Sequence, residues 1–229
     1  KSAKAGAYKI TVKTAAGTAE TSFEVLPKLA AAQRFQGFGP DDVMYLIMPD
    51  RFANGDVSND DAGAKGLLDR RKPRYYHGGD FQGILDRAGY LNELGVTALW
   101  LNPWYDNVDH LNTKETYGGQ AITDYHGYGA VDYYGVESRF GDLALLRKMT
   151  AELQQKGVKM IQDQVANHTG PFHPWVQDAP TATWYNGTAQ KHLANDWQTW
   201  TLMDPHGTAE TRRTTLDGWF IDILPDMNQ

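Results

Sequence analysis

The chain has 229 residues, 41% hydrophobic and 12% aromatic, enough for one sizeable core or for a small module beside part of a larger one. Lysine and arginine number 22 against 28 aspartates and glutamates, and the resulting net charge of −6 leaves no basic field for nucleic acid. The absence of cysteine excludes disulfides, a thiolate metal site and a cysteine nucleophile, and no apolar run reaches the length of a membrane span.

From Ala7 to Leu26 the sequence alternates with the period of a strand: Tyr8, Ile10 and Val12 share one face, and Phe23 and Val25 follow a turn around Ala15-Ala16-Gly17. That pattern predicts a hairpin. Two strands alone are marginal in water, so the pair reads as the last strands of a β-sandwich module whose earlier strands precede Lys1. Residues 28–39, with Ala30-Ala31-Ala32 and a Gly37-Phe38-Gly39-Pro40 end, read as a linker.

From Val43 the pattern changes to strands alternating with helices. Val43 to Met48 suits a buried parallel strand, and Phe81, Ile84, Leu85, Ala88, Leu91 and Leu94 recur at helical spacing up to Gly95, predicting one helix. Val96 to Leu101 is the second strand. A helix from Leu143 to Gln155 follows, with Asp142 as its N-cap and Gly157 just past its end, and Val158 to Gln162 is the third strand. Three strand-helix steps amount to less than half of an eight-unit barrel, which takes roughly 250 residues. Trp100 lies within a strand and reads as core, whereas Trp104, Trp175 and Trp184 fall on loops and are candidates for a groove, although packing is the plainer reading of each.

Two segments stand where strands hand over to loops: Tyr125-His126-Gly127-Tyr128, and Asp163-Gln164-Val165-Ala166-Asn167-His168 at the carboxyl end of the third strand. That end of a parallel sheet is where ligands bind. With Leu224-Pro225-Asp226-Met227-Asn228-Gln229 they resemble three signature segments of the α-amylase family, glycoside hydrolase family 13. Met48 to Asp56, which includes Phe52-Ala53-Asn54-Gly55, and His77 to Ile84 are similar to the cyclomaltodextrinase and neopullulanase branch. The likeness runs from about Gly39 to Gln229.

The resemblance implies an α/β fold: a partial TIM (β/α)8 barrel, residues 40–168, made of its first three βα units, with inserted domain B over 169–229. Residues 1–27 would close an Ig-like β-sandwich module. It implies α-1,4-glucosidic bonds of cyclodextrins, maltooligosaccharides or pullulan as substrate, cleaved with retention. His126 and His168 match imidazoles that hydrogen-bond hydroxyls of the sugar at the cleavage point, and Tyr128 matches a platform under its ring. Asp163 matches a residue that holds a neighbouring arginine and organises the site, so it is not the nucleophile; Asn167 is assigned to the same organising shell. Gly129 departs from the family, which often has tryptophan there; the change either opens the site or leaves stacking to another ring.

Asn54, Asp56, Asn59 and Asp60 supply hard oxygen donors in one tight loop, and Gly78 with Asp80 completes a set that suits calcium better than zinc. In family register these six residues would bind one Ca2+. The loop is no EF-hand, because Asn59 and Lys65 stand where that motif needs glycine and glutamate.

A retaining glycosidase needs two carboxyl groups roughly 5 Å apart. In the family they come from strands later than the third, so the pair is expected beyond Gln229 and the 229-residue chain alone is expected to hydrolyse nothing. The rivals are a transglycosylase or isomerase using the same site, and a noncatalytic glucan-binding barrel. No Gly-x-Ser-x-Gly elbow, phosphate loop or His-Glu-x-x-His is present. The expected compartment is the bacterial periplasm or the exterior, with the cytoplasm as alternative; a homodimer is left open.

Overall fold

The computed structural model describes residues 3–27, 37–61, 65–197 and 199–228, in two compact units, 1–41 and 42–229. Of the linker expected over 28–39, only 37–39 fall among the described residues, and Gln229 lies outside them.

The first unit is the expected hairpin. Strands β1 (Gly6–Thr14) and β2 (Gly17–Val25) pair antiparallel with Tyr8 opposite Phe23 and Ile10 opposite Thr21. The apolar side chains therefore share one face, and Tyr8, Ile10, Val12 and Phe23 are all exposed on it.

The second unit is built on a three-stranded parallel sheet in the order β3 (Met44–Ile47), β4 (Ala98–Leu101), β7 (Lys159–Gln162). These are the three expected strands, and each crossover carries helix. A short turn of helix, α1 (Pro49–Phe52), leaves β3; α2 (Phe81–Asp86) and α3 (Ala88–Glu93) precede β4; α4 (Leu143–Gln155) precedes β7. Asp142 caps α4 as expected, its carboxylate accepting the Leu145 N–H at 2.7 Å. The single helix expected over 81–94 is two: Arg87 departs from helical geometry (φ −96°, ψ 9°) between α2 and α3. Apolar spacing alone did not show this break, because the periodicity persists across one non-helical residue.

Alternation along the strands divides the sheet. Ile47, Leu99 and Leu101 point to the helices and join Phe81, Ile84, Leu91, Phe140, Met149 and Leu153 in the main core. Met44, Leu46 and Trp100 occupy the other face and are exposed. Trp100, read from sequence as core, is thus a correction: it belongs to the strand face without helices, 37% exposed. A run of apolar residues does not say which face is covered.

Between β4 and α4 the chain makes an antiparallel hairpin that periodicity had not signalled, β5 (Asn112–Tyr117) and β6 (Gln120–Ile122), turning at Gly118-Gly119, both at positive φ. The Gly-Gly pair between short strands was its sequence signal. Beyond β7, the described residues of 169–228 hold one α-helix, α5 (Ala209–Asp217), two short 3-10 turns (Pro174–Val176 and Thr199–Leu202) and isolated bridges, one of which returns Asp226 to His168. Among the described residues no helix is long and apolar enough to cross a membrane.

Candidate functional site

The carboxyl ends of β4 and β7 feed the two loops singled out from sequence, and the loops meet. The first is seated by the residues that follow β4: Asn102 Nδ2 donates to the His126 carbonyl at 3.1 Å. Gly127 sits at φ 89°, and a side chain there would run into the Pro103 carbonyl. Only glycine allows this approach. The second loop is tied to the first by the Gly170 N–H, which donates to the Ala130 carbonyl at 2.8 Å, and by Tyr133, whose hydroxyl donates to the His168 carbonyl at 2.6 Å.

The two histidines reach one cavity of about 710 Å³, lined among others by Tyr128, Gln164, Asn167, Phe220 and Leu224. His126 Nδ1 accepts the Tyr128 N–H at 3.0 Å, so the ring's proton is assigned to Nε2, which is left as a donor. Burial, followed by the nearby charges of Arg74, His168 and Arg51, pushes its pKa down to about 4. The ring is therefore neutral at pH 7.

His168 is buried, 7% exposed, and its pKa is lowered chiefly by that burial, against a backbone contact with Tyr128 that raises it. Its Nε2 faces the Tyr128 carbonyl at 3.3 Å and its Nδ1 faces Asn167 Nδ2 at 3.3 Å. Both contacts are long. Any ligand hydroxyl would compete with the Tyr128 carbonyl for this imidazole, whereas His126 Nε2 has no such contact among the described residues.

Tyr128 is part-exposed, and its hydroxyl donates to Asp163 Oδ2 at 2.9 Å; burial first, then this bond, pushes its pKa up to about 12. Trp100 Nε1 donates to the same oxygen at 3.1 Å. Asp163 thus fastens the tyrosine loop to the sheet, with a phenol and an indole as donors where an arginine was expected. Asn167 orients His168, and its carbonyl accepts the Met227 N–H at 2.8 Å.

Sequence reasoning did not select two buried acids beside these loops. Asp226 accepts from Asn186 Nδ2 at 2.8 Å, and burial raises its pKa to about 6, against hydrogen bonds from Asn186 and Asn167 that lower it. Asp124 is 1% exposed; Asn112 Nδ2 donates to its Oδ1 at 3.0 Å, Oδ2 has no partner among the described residues, and burial raises its pKa to about 6. Its carboxyl fills the space where a side chain on Gly129 would begin. Asp226 stood in a signature segment and was legible in principle; Asp124 carried no signal beyond its adjacency to Tyr125. Of the tryptophans offered for a groove, Trp175 packs edge-on against Trp184 at 4.9 Å and stacks over Tyr133 at 6.4 Å, and Trp104 packs on the main core. None of the three is among the residues lining the cavity.

In the loop after α1, Asp80 caps α2 by accepting the Gly83 N–H at 2.6 Å and also accepts the Asp56 N–H at 2.8 Å. Asp56 turns its carboxylate to Ser58. The Asn54 amide and the Asp60 carboxylate are in contact against Gly78, and the buried Asn59 Oδ1 has no partner among the described residues. Among the described residues no group of three or more His, Asp or Glu is arranged to hold a metal. Amide and backbone oxygens must make up most of any cation shell here.

Residues 46–221 match the family model described as "Alpha amylase, catalytic domain". The chain belongs to the α-amylase family. It is 32% identical over 183 residues to neopullulanase 2 of Thermoactinomyces vulgaris, covering 79% of this chain and 27% of that protein. To the cyclomaltodextrin glucanotransferase of Paenibacillus macerans it is 39% identical over 132 residues, covering 57% of this chain and 18% of the relative. A solved α-amylase from Anoxybacillus superimposes with a TM-score of 0.64 at 34% identity, covering 82% of this chain and 34% of the other. The chain therefore spans about a quarter of the length of the first of these curated relatives and less of the second.

Proposed function

We propose that this chain contributes the sugar-binding mouth of an enzyme that cleaves α-1,4-glucosidic bonds of cyclodextrins, maltooligosaccharides or pullulan with retention. The observation that carries the reading is the meeting of His126, Tyr128 and His168 at one cavity at the carboxyl ends of β4 and β7. Neutral imidazoles beside an exposed phenol ring suit a neutral sugar, with hydroxyls to hydrogen-bond and an apolar C–H face to stack.

The part played by these residues is binding and orientation. His126 Nε2 donates to a hydroxyl, Tyr128 packs against the ring, and Asp163 and Asn167 hold Tyr128 and His168 in place. Glu115 is the one carboxylate among the described residues lining the cavity, so the pair that retention requires is not assembled there. In this reading the nucleophile and the acid/base come from outside residues 1–229, and the chain alone is inactive. The sheet is the first part of a (β/α)8 barrel; its exposed Met44, Leu46 and Trp100 face is the one such a barrel would cover, 169–229 is the inserted domain, and the hairpin ends a sandwich module. The likeness to a glucanotransferase keeps transfer to a second sugar as the alternative to hydrolysis.

Asn54, Asp56, Asn59, Asp60, Gly78 and Asp80 are proposed to hold one calcium ion. The buried Asn59 oxygen, partnerless among the described residues, suits a hard cation, with Asp80 and Asp56 giving up some of their present N–H contacts. The ion would stiffen the loop and supply no chemistry at the sugar. A periplasmic or extracellular location completes the proposal.

The test uses the whole enzyme. His168→Ala should lower turnover more than it weakens ground-state binding, because its hydrogen bond tightens toward the oxocarbenium-like state, whereas Tyr128→Ala should harm both. Unchanged turnover and affinity in either variant removes that residue from the site.

A further inference from the structure

One side chain joins three segments behind the mouth, and no motif gave it a role. Arg51 stands half-buried in α1, and four of its five N–H groups have acceptors. Nε donates to Asp50 Oδ2 at 2.6 Å, and Nη2 donates to the carbonyls of Pro73 at 3.0 Å and Tyr75 at 2.8 Å. His77 Nε2 donates to the Lys72 carbonyl at 3.0 Å, which leaves Nδ1 to accept from Arg51 Nη1 at 3.2 Å. The guanidinium so held lies over the Tyr125 ring, 3.9 Å from its centroid.

The anchor of this arginine is itself committed. Asp50, 2% exposed, spends Oδ2 on Arg51 and Oδ1 on the His77 and Gly78 N–H groups, at 2.8 and 3.1 Å. With every oxygen engaged, the carboxylate fixes the guanidinium in one geometry. Tyr125 packs on the main core as well as under the guanidinium. Its ring meets that of His126 edge-on, centroids 5.3 Å apart and planes inclined 65°. Neither Arg51 nor Tyr125 is among the residues lining the cavity, whereas His126 is. An effect of Arg51 on a ligand there therefore passes through His126.

An arginine does two things here that an aliphatic side chain does not. A cation over an aromatic face adds electrostatic attraction to packing, and its rigid fork sets the angle of approach. Its charge also reaches His126. Burial comes first in keeping that imidazole neutral, followed by the charges of Arg74, His168 and Arg51. The neutral ring keeps Nδ1 as acceptor of the Tyr128 N–H and Nε2 as a donor.

We propose that Arg51 is a positioning residue of the sugar mouth: anchored on Asp50 and on the Pro73 and Tyr75 carbonyls, it clamps the Tyr125 ring and so sets the His126 imidazole for a sugar hydroxyl. The proposal rests on the reading of the cavity as a glucan site and adds a control exerted from outside it. Arg70 supplies the contrast. It braces the same segment, donating to the His77 carbonyl at 2.8 Å and to Asp60 at 3.2 Å, but among the described residues no contact joins it to Tyr125.

Isothermal titration with maltotriose, thermal unfolding and histidine ring-proton NMR test this, applied to the protein and to Arg51→Met, Arg51→Lys, Tyr125→Leu and Arg70→Met. Arg51→Met keeps apolar contact with Tyr125 but loses the anchors and the charge. It should lose about 5- to 10-fold in maltotriose affinity, with the pH midpoint of the His126 ring moved upward. Arg51→Lys keeps the charge without the fork and should lose only about 2-fold, with a His126 midpoint near that of the parent. Tyr125→Leu leaves the anchors of Arg51 in place and should lose as much as Arg51→Met, and the double variant no more than either, because the two act through one contact. Arg70→Met should unfold at a lower temperature yet bind maltotriose as the parent does. A merely structural Arg51 would instead move affinity with stability in every variant. Parent-like affinity in Arg51→Met or in Tyr125→Leu, or an equal loss in Arg70→Met, overturns the proposal while the glucan site stands; the tyrosine variant decides if Arg51→Met fails to fold. No maltotriose binding by the parent overturns the glucan-site reading itself, and the proposal with it.

Discussion

The helix-covered face of the sheet and the mouth at its carboxyl end are built on opposite rules. Under the helices, Ile47, Leu99, Leu101, Phe81, Ile84 and Met149 bury apolar surface against apolar surface. At the mouth, His126, His168, Asp124 and Asp226 are withdrawn from water with few partners, beside aromatic rings left in it. The first arrangement stabilises the fold; the second holds polar groups out of water, with His126 and His168 among the residues that line the cavity. Substitutions should therefore separate stability from binding according to which region they touch.

The largest effect on stability belongs to the covered face. Leu99→Ala should cost about 2–5 kcal/mol in denaturant unfolding, because the cavity it leaves lies among the helices, while Leu46→Ala on the exposed face should cost well under that. Equal losses at the two positions would erase the distinction between the faces. Asp80→Ala comes next, at about 1–3 kcal/mol, since it removes the cap of α2 and strands the Asp56 N–H. The same loop gives the metal test: a chelator should lower the melting temperature of the parent, and calcium should restore it.

At the mouth, Asp124→Asn should change the pH dependence more than the stability at low pH. Burial raises the Asp124 pKa from 3.8 to about 6, so its favourable contribution is complete below pH 3.8 and is lost as pH rises through about 6. The variant should lack that decline. A parent curve with no slope in this window assigned to Asp124 breaks the description of the mouth as electrostatically unsatisfied. An effect of similar size and opposite pH direction is expected at His126. Its pKa falls from 6.5 to about 4, so stability is full above 6.5 and is lost as pH falls toward 4, where protonated Nδ1 no longer accepts the Tyr128 N–H. His126→Asn should flatten this acid limb.

The covered face was legible because apolar periodicity has one dominant physical cause, burial. Val43–Met48, Val96–Leu101 and Val158–Gln162 all contain the observed strands, and Asp142 caps α4 as its position before Leu143 implied. What periodicity cannot encode is which face lacks a neighbour, hence Trp100, or where a helix breaks without losing its stripe, hence Arg87. At the mouth, His126, Tyr128 and His168 were legible through their motifs. Asp124 and Phe220 were not, because each owes its place to contacts between segments far apart in sequence: Asn112 on Asp124, His168 on Phe220. Gly129 shows both limits at once. Its departure from the family pattern was visible, but the carboxyl of Asp124 in the vacated space was not.

In the proposed site, two neutral imidazoles and one phenol surround a glucose ring. Histidine ring-proton NMR of the protein during titration with maltotriose reads this without requiring turnover. Saturable shifts of the His126 and His168 signals with a common dissociation constant, abolished in Tyr128→Ala, are the predicted result. Maltotriose binding that leaves both signals in place, or shifts equally in Tyr128→Ala, contradicts it.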